Sequence, residues 1–474
     1  MKFNRTKIVA TIGPASQSAE VLENMIDAGM NVCRINASHG SHEQQQLIID
    51  TLRNLNAKKN VHTALLYDLQ GPKLRIGDMR DGGVIIKEGD EIILTTNDCI
   101  GDEKRVFIKY ASFVKDVKKH DTILVDDGKI ELEAIQSNGI DEVVTKVKFG
   151  GMLSSRKGVN LPNTRITLPS LTEKDKADLE FALANNIDWI GLSFVRSAKD
   201  IEALKSIIKY KNSPMRVVAK IEKPEALKDL DNIISSADGV MVARGDLGVE
   251  IPMEQVPLIQ KTILNKCIAK SKPVIIATQM MESMITSQRP TRAEVNDVAN
   301  SVMDGADAVM LSAETSVGKD PANVVQSMWK IVHAVQNSAS IYNRMQLPDK
   351  HSSAFVTEST IYNACQMVKQ TDAKAIITMT HSGYSALKIA SQRPEADIIV
   401  FTDNKTLLTQ LNLVWGVRGF FYDKYENTDV NINDVKDIIK KEGIVKPGDC
   451  IIHVFSTPLH ERGRSNTVKL NVID

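Results

Sequence analysis

The feature that most constrains this chain is a rhythm. Short β-rich apolar runs alternate with helical patterns eight times, at Ile8–Thr11, Val32–Ile35, Ala64–Tyr67, Trp189–Phe194, Val217–Ile221, Val240–Ala243, Val274–Ala277 and Ala308–Leu311. The helices between them carry start signals. Ser18 precedes AEVLENMIDAGM, Ser41 precedes HEQQQLIIDTLRNL, and Pro224 stands at a first helical position before EALKDLDNIISS. Connection rules leave few topologies for eight βα units, and a closed parallel barrel is foremost among them.

Two segments break the rhythm. Roughly Gly71–Ser170 lacks helical periodicity and shows alternating runs (Gly83–Lys87, Glu91–Thr95) with turns at Asp127-Gly128 and Asn138-Gly139. This predicts an all-β domain inserted in a βα loop, over the active-site face. From about Ser352 an αβ pattern resumes, with strands near Ala375–Met379, Ile398–Phe401 and Cys450–Phe455. At ~150 residues per domain, 474 residues suit three domains. The expected class is α/β: a (βα)8 TIM barrel (1–70 and 171–345), an inserted all-β lid domain (71–170) and a C-terminal α/β regulatory domain (346–474).

Charge narrows the function. Lys+Arg is 59 and Asp+Glu is 59, so there is no basic surplus for nucleic acid or an anionic membrane. No apolar run reaches the ~18 residues needed to span a bilayer, and Met1–Ser16 has too short an apolar stretch for a signal sequence. Cys33, Cys99, Cys267, Cys365 and Cys450 are widely spaced without a CxxC, as in a reduced, cytoplasmic protein.

Barrel enzymes place their chemistry at the C-terminal ends of the strands. Strand two there offers Arg34, Asn36, Ser38 and His39, and strand three Asp68. Strand four offers Ser193 and Phe194, strand five Lys220 and Glu222, and strand six Arg244, Gly245 and Asp246. Strand seven offers Thr278 and Gln279, and strand eight Ser312 and Glu314. Loops are polar in general, but seven strands converging on one rim favour a site. Glu222 and Asp246 suit Mg²⁺, which takes one or two carboxylates plus substrate oxygens and water. Lys220 lies two residues before Glu222, on the same side of a strand. Arg34 and Arg75 could clamp phosphate oxygens, and the Gly245 N–H could approach a substrate carboxylate. A metal pair, a lysine and arginines, without a cysteine nucleophile or Ser-His-Asp set, fit phosphoryl transfer.

The chain resembles pyruvate kinases over nearly its whole length. The resemblance rests on TKIVATIGPAS (Thr6–Ser16), MNVCRINASHG (Met30–Gly40), RKGVNLP (Arg156–Pro162), LSFVR (Leu192–Arg196), KIEKPEAL (Lys220–Leu227) and GVMVARGDLGVEIP (Gly239–Pro252). It continues through KPVIIATQMMESMI (Lys272–Ile285), the long run Arg289–Thr315 and the final SNTVKL. The resemblance implies conversion of phosphoenolpyruvate and ADP to pyruvate and ATP, the last step of glycolysis, through enolpyruvate. Lys220 would stabilise the transferring phosphoryl group and the enolate, and Arg34 would grip the phosphoryl group. Glu222 and Asp246 would hold Mg²⁺ or Mn²⁺. The backbone at Gly245 and Asp246 would bind the carboxylate, with Thr278 near the future methyl carbon and Ser312 and Glu314 in the network behind it. Asn36, Ser38, His39, Arg75 and Lys157 would serve ADP/ATP, the last from a lid that excludes water.

One departure is informative. Many relatives hold a monovalent cation, usually K⁺, with Asn, Ser, Asp and Thr. Here Asn36, Ser38 and Asp68 are kept, but Leu69 takes the Thr position and Lys73 stands where those relatives carry Glu. The expectation is that the Lys73 ammonium replaces K⁺, since two cations in one pocket would repel. The alternative has Lys73 pointing to solvent. Ala37 replaces a common aromatic, a packing difference. His39 and His42 have a metal-pair spacing, but the resemblance gives His39 a nucleotide role and leaves His42 at the surface.

In the third domain, TMTHSGYSA (Thr378–Ala386) follows a strand and opens a helix, which makes an anion site. The resemblance implies a phosphorylated allosteric effector at Thr380, Ser382, Gly383 and Ser385, with the loop GRSNT (Gly463–Thr467) closing over it. His381 and Tyr384 replace cations common in relatives, which predicts weaker binding of a bisphosphate sugar. A capped helix with no ligand is the simpler reading. The family implies a homotetramer. A metal-dependent lyase or aldolase on pyruvate enolates, and a sugar-phosphate sensor without catalysis, are the competing classes. Arg34, Arg75 and Lys157 argue against the first, and the set Lys220, Glu222, Asp246 and Thr278 against the second.

Overall fold

A computed structural model describes residues 3–162, 164, 166–337, 341–424, 428–457 and 465–474. Eight parallel strands close into a barrel: β1 (Lys7–Ile12), β2 (Val32–Asn36), β3 (Ala64–Asp68), β4 (Trp189–Leu192), β5 (Arg216–Ile221), β6 (Gly239–Ala243), β7 (Val274–Ala277) and β8 (Ala308–Leu311). Closure runs through the β1–β2 and β1–β8 pairings. Almost every strand residue is buried, as expected when helices cover the outer face and side chains fill the lumen. Trp189, Val218, Met241 and Ile275 are among the side chains that pack together in one buried cluster of the barrel.

The helix starts follow local chemistry. Ser18 accepts from the Val21 N–H, and Ser41 and Gln44 form a capping box. Two expectations shift. The helix foreseen after Pro224 is two short ones, Pro224–Lys228 and Leu230–Ser236. They part at Asp229, whose carboxylate accepts from the Ala198 N–H at 2.8 Å and from Asn232 Nδ2 at 2.6 Å. The fourth strand stops at Leu192, and Ser193 and Phe194 form a turn with Phe194 at φ 54°.

After β3 the chain enters a seven-stranded sheet with a two-stranded companion and its own core around Ile92, Phe113 and Leu132. It re-enters the barrel at helix Glu173–Ala184. Farther along, a five-stranded sheet runs Val417–Phe421, Asp397–Thr402, Ala375–Met379, Cys450–Phe455, Thr467–Val472. The first and last of these strands were not foreseen. Both are edge strands, half-exposed and interrupted by Arg418, Gly419, Lys469 and Asn471, so their apolar signal is weak. This domain packs under the barrel. Lys7 Nζ donates to the Val417 carbonyl at 2.8 Å, and Arg393 pairs with Asp307 at 3.0 Å. Among the described residues, no helix is long and apolar enough to cross a membrane.

Candidate active site

The strand period puts Lys220 and Glu222 on one side of β5 and its extension. Barrel closure then brings Asp68 from β3 beside them. Lys220 Nζ lies 2.9 Å from Glu222 Oε1, 3.2 Å from Asp68 Oδ1 and 2.7 Å from Ser193 Oγ. Arg34 on β2 donates through Nε and Nη2 to Asp68 Oδ2, at 2.9 and 2.6 Å, and through Nη1 to Thr11 Oγ1 at 2.9 Å. Asp68 and Glu222 are each only 1% exposed, so these charges interact with little screening.

The electrostatics follow from that packing. Burial works against the Lys220 ammonium, but Asp68 and Glu222 outweigh it and hold its pKa well above the usual lysine range. Burial also opposes Asp68 ionisation, yet Lys220 and Arg34 hold its carboxyl below the usual range. Glu222 goes the other way: burial and the neighbouring Asp246 raise its pKa despite Lys220. Two neighbouring carboxylates with hard oxygen donors fit a divalent cation. Among the described residues there is no cluster of three or more His, Cys, Asp or Glu side chains suited to a metal, so other positions would fall to substrate and water.

Asp246 stands in the first turn of helix Arg244–Glu250, which begins where β6 ends. Lys73 Nζ approaches its Oδ1 to 3.5 Å. Gly245 is required: a Cβ there would lie 2.6 Å from Thr278 Cγ2. Thr278 itself sits at φ 77°, a genuine outlier for a β-branched residue, and Gln279 follows at φ 55°. Arg244 holds this bend. Its Nη2 donates to the Thr278 carbonyl at 2.8 Å while both Asp297 oxygens accept from the guanidinium at 2.7 Å.

Glu314, 2% exposed, accepts from the N–H groups of Ser312 at 2.7 Å and Met281 at 3.2 Å, joining the loops after β7 and β8. On the other side of the rim, Asn36 Oδ1 accepts from the Ser38 N–H at 3.1 Å. Burial and the cations Arg75, Arg34, Lys73 and Lys174 lower the His39 pKa, so its imidazole is neutral amid positive charge. Leu69 turns its carbonyl to Ser193 Oγ at 2.7 Å. Arg75 and Lys157 belong to the insertion. Arg75 Nη1 donates to the Arg156 carbonyl at 3.0 Å, and Lys157 pairs with Asp126 at 2.9 Å. Among the described residues neither side chain bonds to the barrel. His42 is half-exposed and pairs with Asp178 at 2.8 Å.

The helix Tyr384–Ser391 follows Gly383 at φ 82°. Its loop is bonded to its surroundings. Thr380 Oγ1 accepts from the Gly383 N–H at 3.0 Å, Ser382 offers its carbonyl to Arg216 at 3.0 Å, and Ser385 meets Ser465 at 3.0 Å. Gly463 and Arg464 of the expected closing loop lie outside the described residues.

Sequence reasoning drew rim residues from seven strands and missed the eighth. Thr11 on β1 supplies it, and its position in a strand-end alignment was the available signal. Ser193 and Arg244 were named on the rim without a role, because their partners come from distant strands.

Residues 3–325 match the family described as the pyruvate kinase barrel domain, and residues 358–471 match the pyruvate kinase alpha/beta domain. The chain is 40% identical to a pyruvate kinase of Geobacillus stearothermophilus, over 99% of this chain and 80% of that one. It is also 40% identical to a pyruvate kinase of Corynebacterium glutamicum, over 99% and 98% of the two chains. Its fold is similar to a crystal structure of a pyruvate kinase from Cryptosporidium parvum, with a TM-score of 0.91, 33% identity, and 99% and 96% of the two chains covered. With both family domains matched and relatives aligned over 99% of its length, the chain belongs to the pyruvate kinase family of phosphotransferases.

Proposed function

We propose that this rim moves a phosphoryl group from phosphoenolpyruvate to ADP. The observation that carries the reading is the Lys220 ammonium, buried between Glu222 and Asp68 and kept protonated by both. A fixed cation at that point balances charge on the migrating group and on the enolate it leaves. The enol P–O bond breaks as an oxygen of the ADP β-phosphate bonds phosphorus. The enolate then takes a proton at its terminal carbon and becomes pyruvate.

Arg34 is braced at both ends by Asp68 and Thr11, so its guanidinium is set in place for phosphoryl oxygens. Gly245 and Asp246 would present backbone N–H groups to the substrate carboxylate. Thr278 would face the methylene carbon, with Ser312 and Glu314 behind it as a proton path. Asn36, Ser38, His39 and Arg75 would meet the nucleotide, and closure of the insertion would add Lys157 and exclude water. Glu222 and Asp246 would hold Mg²⁺ or Mn²⁺, which supplies positive charge to the substrate oxygens when bound.

Potassium independence belongs to the same reading. Lys73 does not point to solvent; its ammonium stands beside Asp246, within the same field of charge. The Asn36–Ser38–Asp68 group is not its contact, and Asp68 already faces Arg34 and Lys220. Lys73 would therefore stand in for the monovalent cation by charge in the pocket rather than by occupying the same oxygens.

A phosphorylated effector would bind at Thr380, Ser382, Gly383 and Ser385. A homotetramer is the assembly proposed, supported by the exposed edge strand Thr467–Val472, where Leu470 and Val472 are open to a second copy. A coupled assay with phosphoenolpyruvate, ADP and Mg²⁺ tests the function. Saturable ATP formation is expected. Its absence, with pyruvate-enolate cleavage or sugar-phosphate binding instead, would favour the lyase or sensor classes.

A further inference from the structure

Glu250 has none of the roles given above, yet three functional segments meet on it. It ends the helix that carries Asp246. Its Oε1 is 2.6 Å from Lys223 Nζ, and Lys223 directly follows Glu222. The same oxygen accepts from Asn160 Nδ2 at 2.7 Å. Asn160 ends the insertion strand Gly158–Asn160, which starts next to Lys157. One carboxylate oxygen thus receives a donor from the insertion and another from the barrel, within three or four residues of Lys157, Glu222 and Asp246.

The junction lies between two connections that are each tied to the barrel. The outgoing connection is tied at Gly71, whose N–H donates to Asp175 Oδ1 at 3.0 Å. The returning connection is tied by Arg196, which donates to the Ile166 and Leu168 carbonyls at 2.7 and 2.8 Å. Between these tethers, Lys73 approaches Asp246 near the start of this helix, and Asn160 meets Glu250 at its end. At the tip of the hairpin, Gly128 comes near Val249, with 3.9 Å between its ideal Cβ and Val249 Cγ1. The insertion's polar contacts to this helix therefore lie at both of its ends, Lys73 to Asp246 and Asn160 to Glu250.

Glu250 is also poorly satisfied for a buried acid. Its Oε2 has no hydrogen-bond partner among the described residues. Apolar side chains of similar size in place of the whole Lys223–Glu250 pair would stabilise such a site about as well. The arrangement serves position rather than stability.

We propose that Glu250 is the pivot that sets the angle of the insertion over the barrel, with Asn160 as its contact on the insertion. Both are positioning residues, acting through Lys157 on one side and through Glu222 and Asp246 on the other. This rests on the phosphoryl-transfer reading, in which Lys157 must meet the nucleotide while the two acids hold the divalent ion.

The test is Asn160→Ala in the full chain. It removes the insertion's grip but leaves the buried Lys223–Glu250 pair compensated, so the fold should survive, which a thermal melt checks. Phosphoryl transfer needs the insertion, whereas exchange of pyruvate methyl protons with D2O, followed by NMR with Mg²⁺, needs only the barrel groups. The expected result is an ADP KM raised about tenfold and a kcat lowered about tenfold. The phosphoenolpyruvate KM and the exchange rate should stay within about twofold, and Asn160→Gln, which keeps the amide, should recover part of the loss. Unchanged ADP kinetics would overturn the proposal. So would an equal fall in transfer, exchange and melting temperature, which marks a merely structural contact. Failure of the unsubstituted protein to make ATP would instead defeat the parent reading, so the two failures are distinct.

Discussion

The Lys73 ammonium stands 3.5 Å from Oδ1 of Asp246, so a residue just before the insertion's first strand reaches a carboxylate in the helix that follows β6. In the proposed reading that contact would supply the positive charge of a monovalent cation. In tetramethylammonium buffer, added K⁺ should change turnover by less than about twofold, because a resident cation repels a second. Lys73→Glu should lower K⁺-free turnover by about tenfold or more, with recovery in K⁺. Strong stimulation of the unsubstituted protein by K⁺ would remove this role from Lys73.

Lys220 sits between two buried carboxylates, so its loss has two consequences. Lys220→Met should lower kcat by on the order of a thousandfold or more, since the charge opposing the migrating phosphoryl group disappears. It should also cost about 3 kcal/mol of stability by leaving the buried Glu222 without its cation, while Asp68 keeps Arg34. Denaturant melts separate the two effects. Lys220→Arg, which keeps a cation, should restore most of the stability and little of the rate. Turnover near the normal level in the Met variant would rule out the role given to Lys220.

Gly245→Ala places a methyl group 2.6 Å from Thr278 Cγ2, at a bend already strained at Thr278. One side must move. We expect kcat/KM for phosphoenolpyruvate to fall by about a hundredfold, because small displacements at a reacting centre are costly. Steady-state kinetics and a thermal melt measure this. Normal kcat/KM would show that the Gly245–Thr278 contact does not set substrate position.

Lys7 is a pH-dependent weak point between barrel and third domain. Burial, then Arg418, lower its pKa to about 7, against the partial support of Asp397 and Asp307. Its Nζ donates to the Val417 carbonyl at 2.8 Å. Between about pH 7 and pH 10 the unfolded chain keeps this proton while the folded chain has released it. The Lys7 contribution to stability therefore rises with pH across that window, by up to about 1.4 kcal/mol per pH unit. It is flat below pH 7, where both states are protonated. Lys7→Met should flatten this slope in urea melts at several pH values. An unchanged slope would show that another group produces it.

The barrel was legible because its signal is local. An apolar run followed by a capped helix reports its own identity, and eight such units have few ways to close. The strands β7 and β8 match their sequence limits of Val274–Ala277 and Ala308–Leu311 for that reason. Edge strands such as Thr467–Val472 escaped because one side faces water and their apolar content drops. Motif resemblance named Lys220, Glu222, Asp246 and Thr278, but it could not say what each one touches.

By itself, the order of residues determined which groups stand at the mouth of the barrel, since a strand's end and its two-residue period are properties of the chain. Tertiary structure alone decided the pairings. Lys220 meets Asp68 from a strand more than 150 residues away, Lys73 comes beside Asp246, and Asn160 reaches Glu250 from the insertion. Those contacts depend on how the barrel closes and on where the insertion comes to rest. Charges buried there interact over distances that no spacing along the chain records.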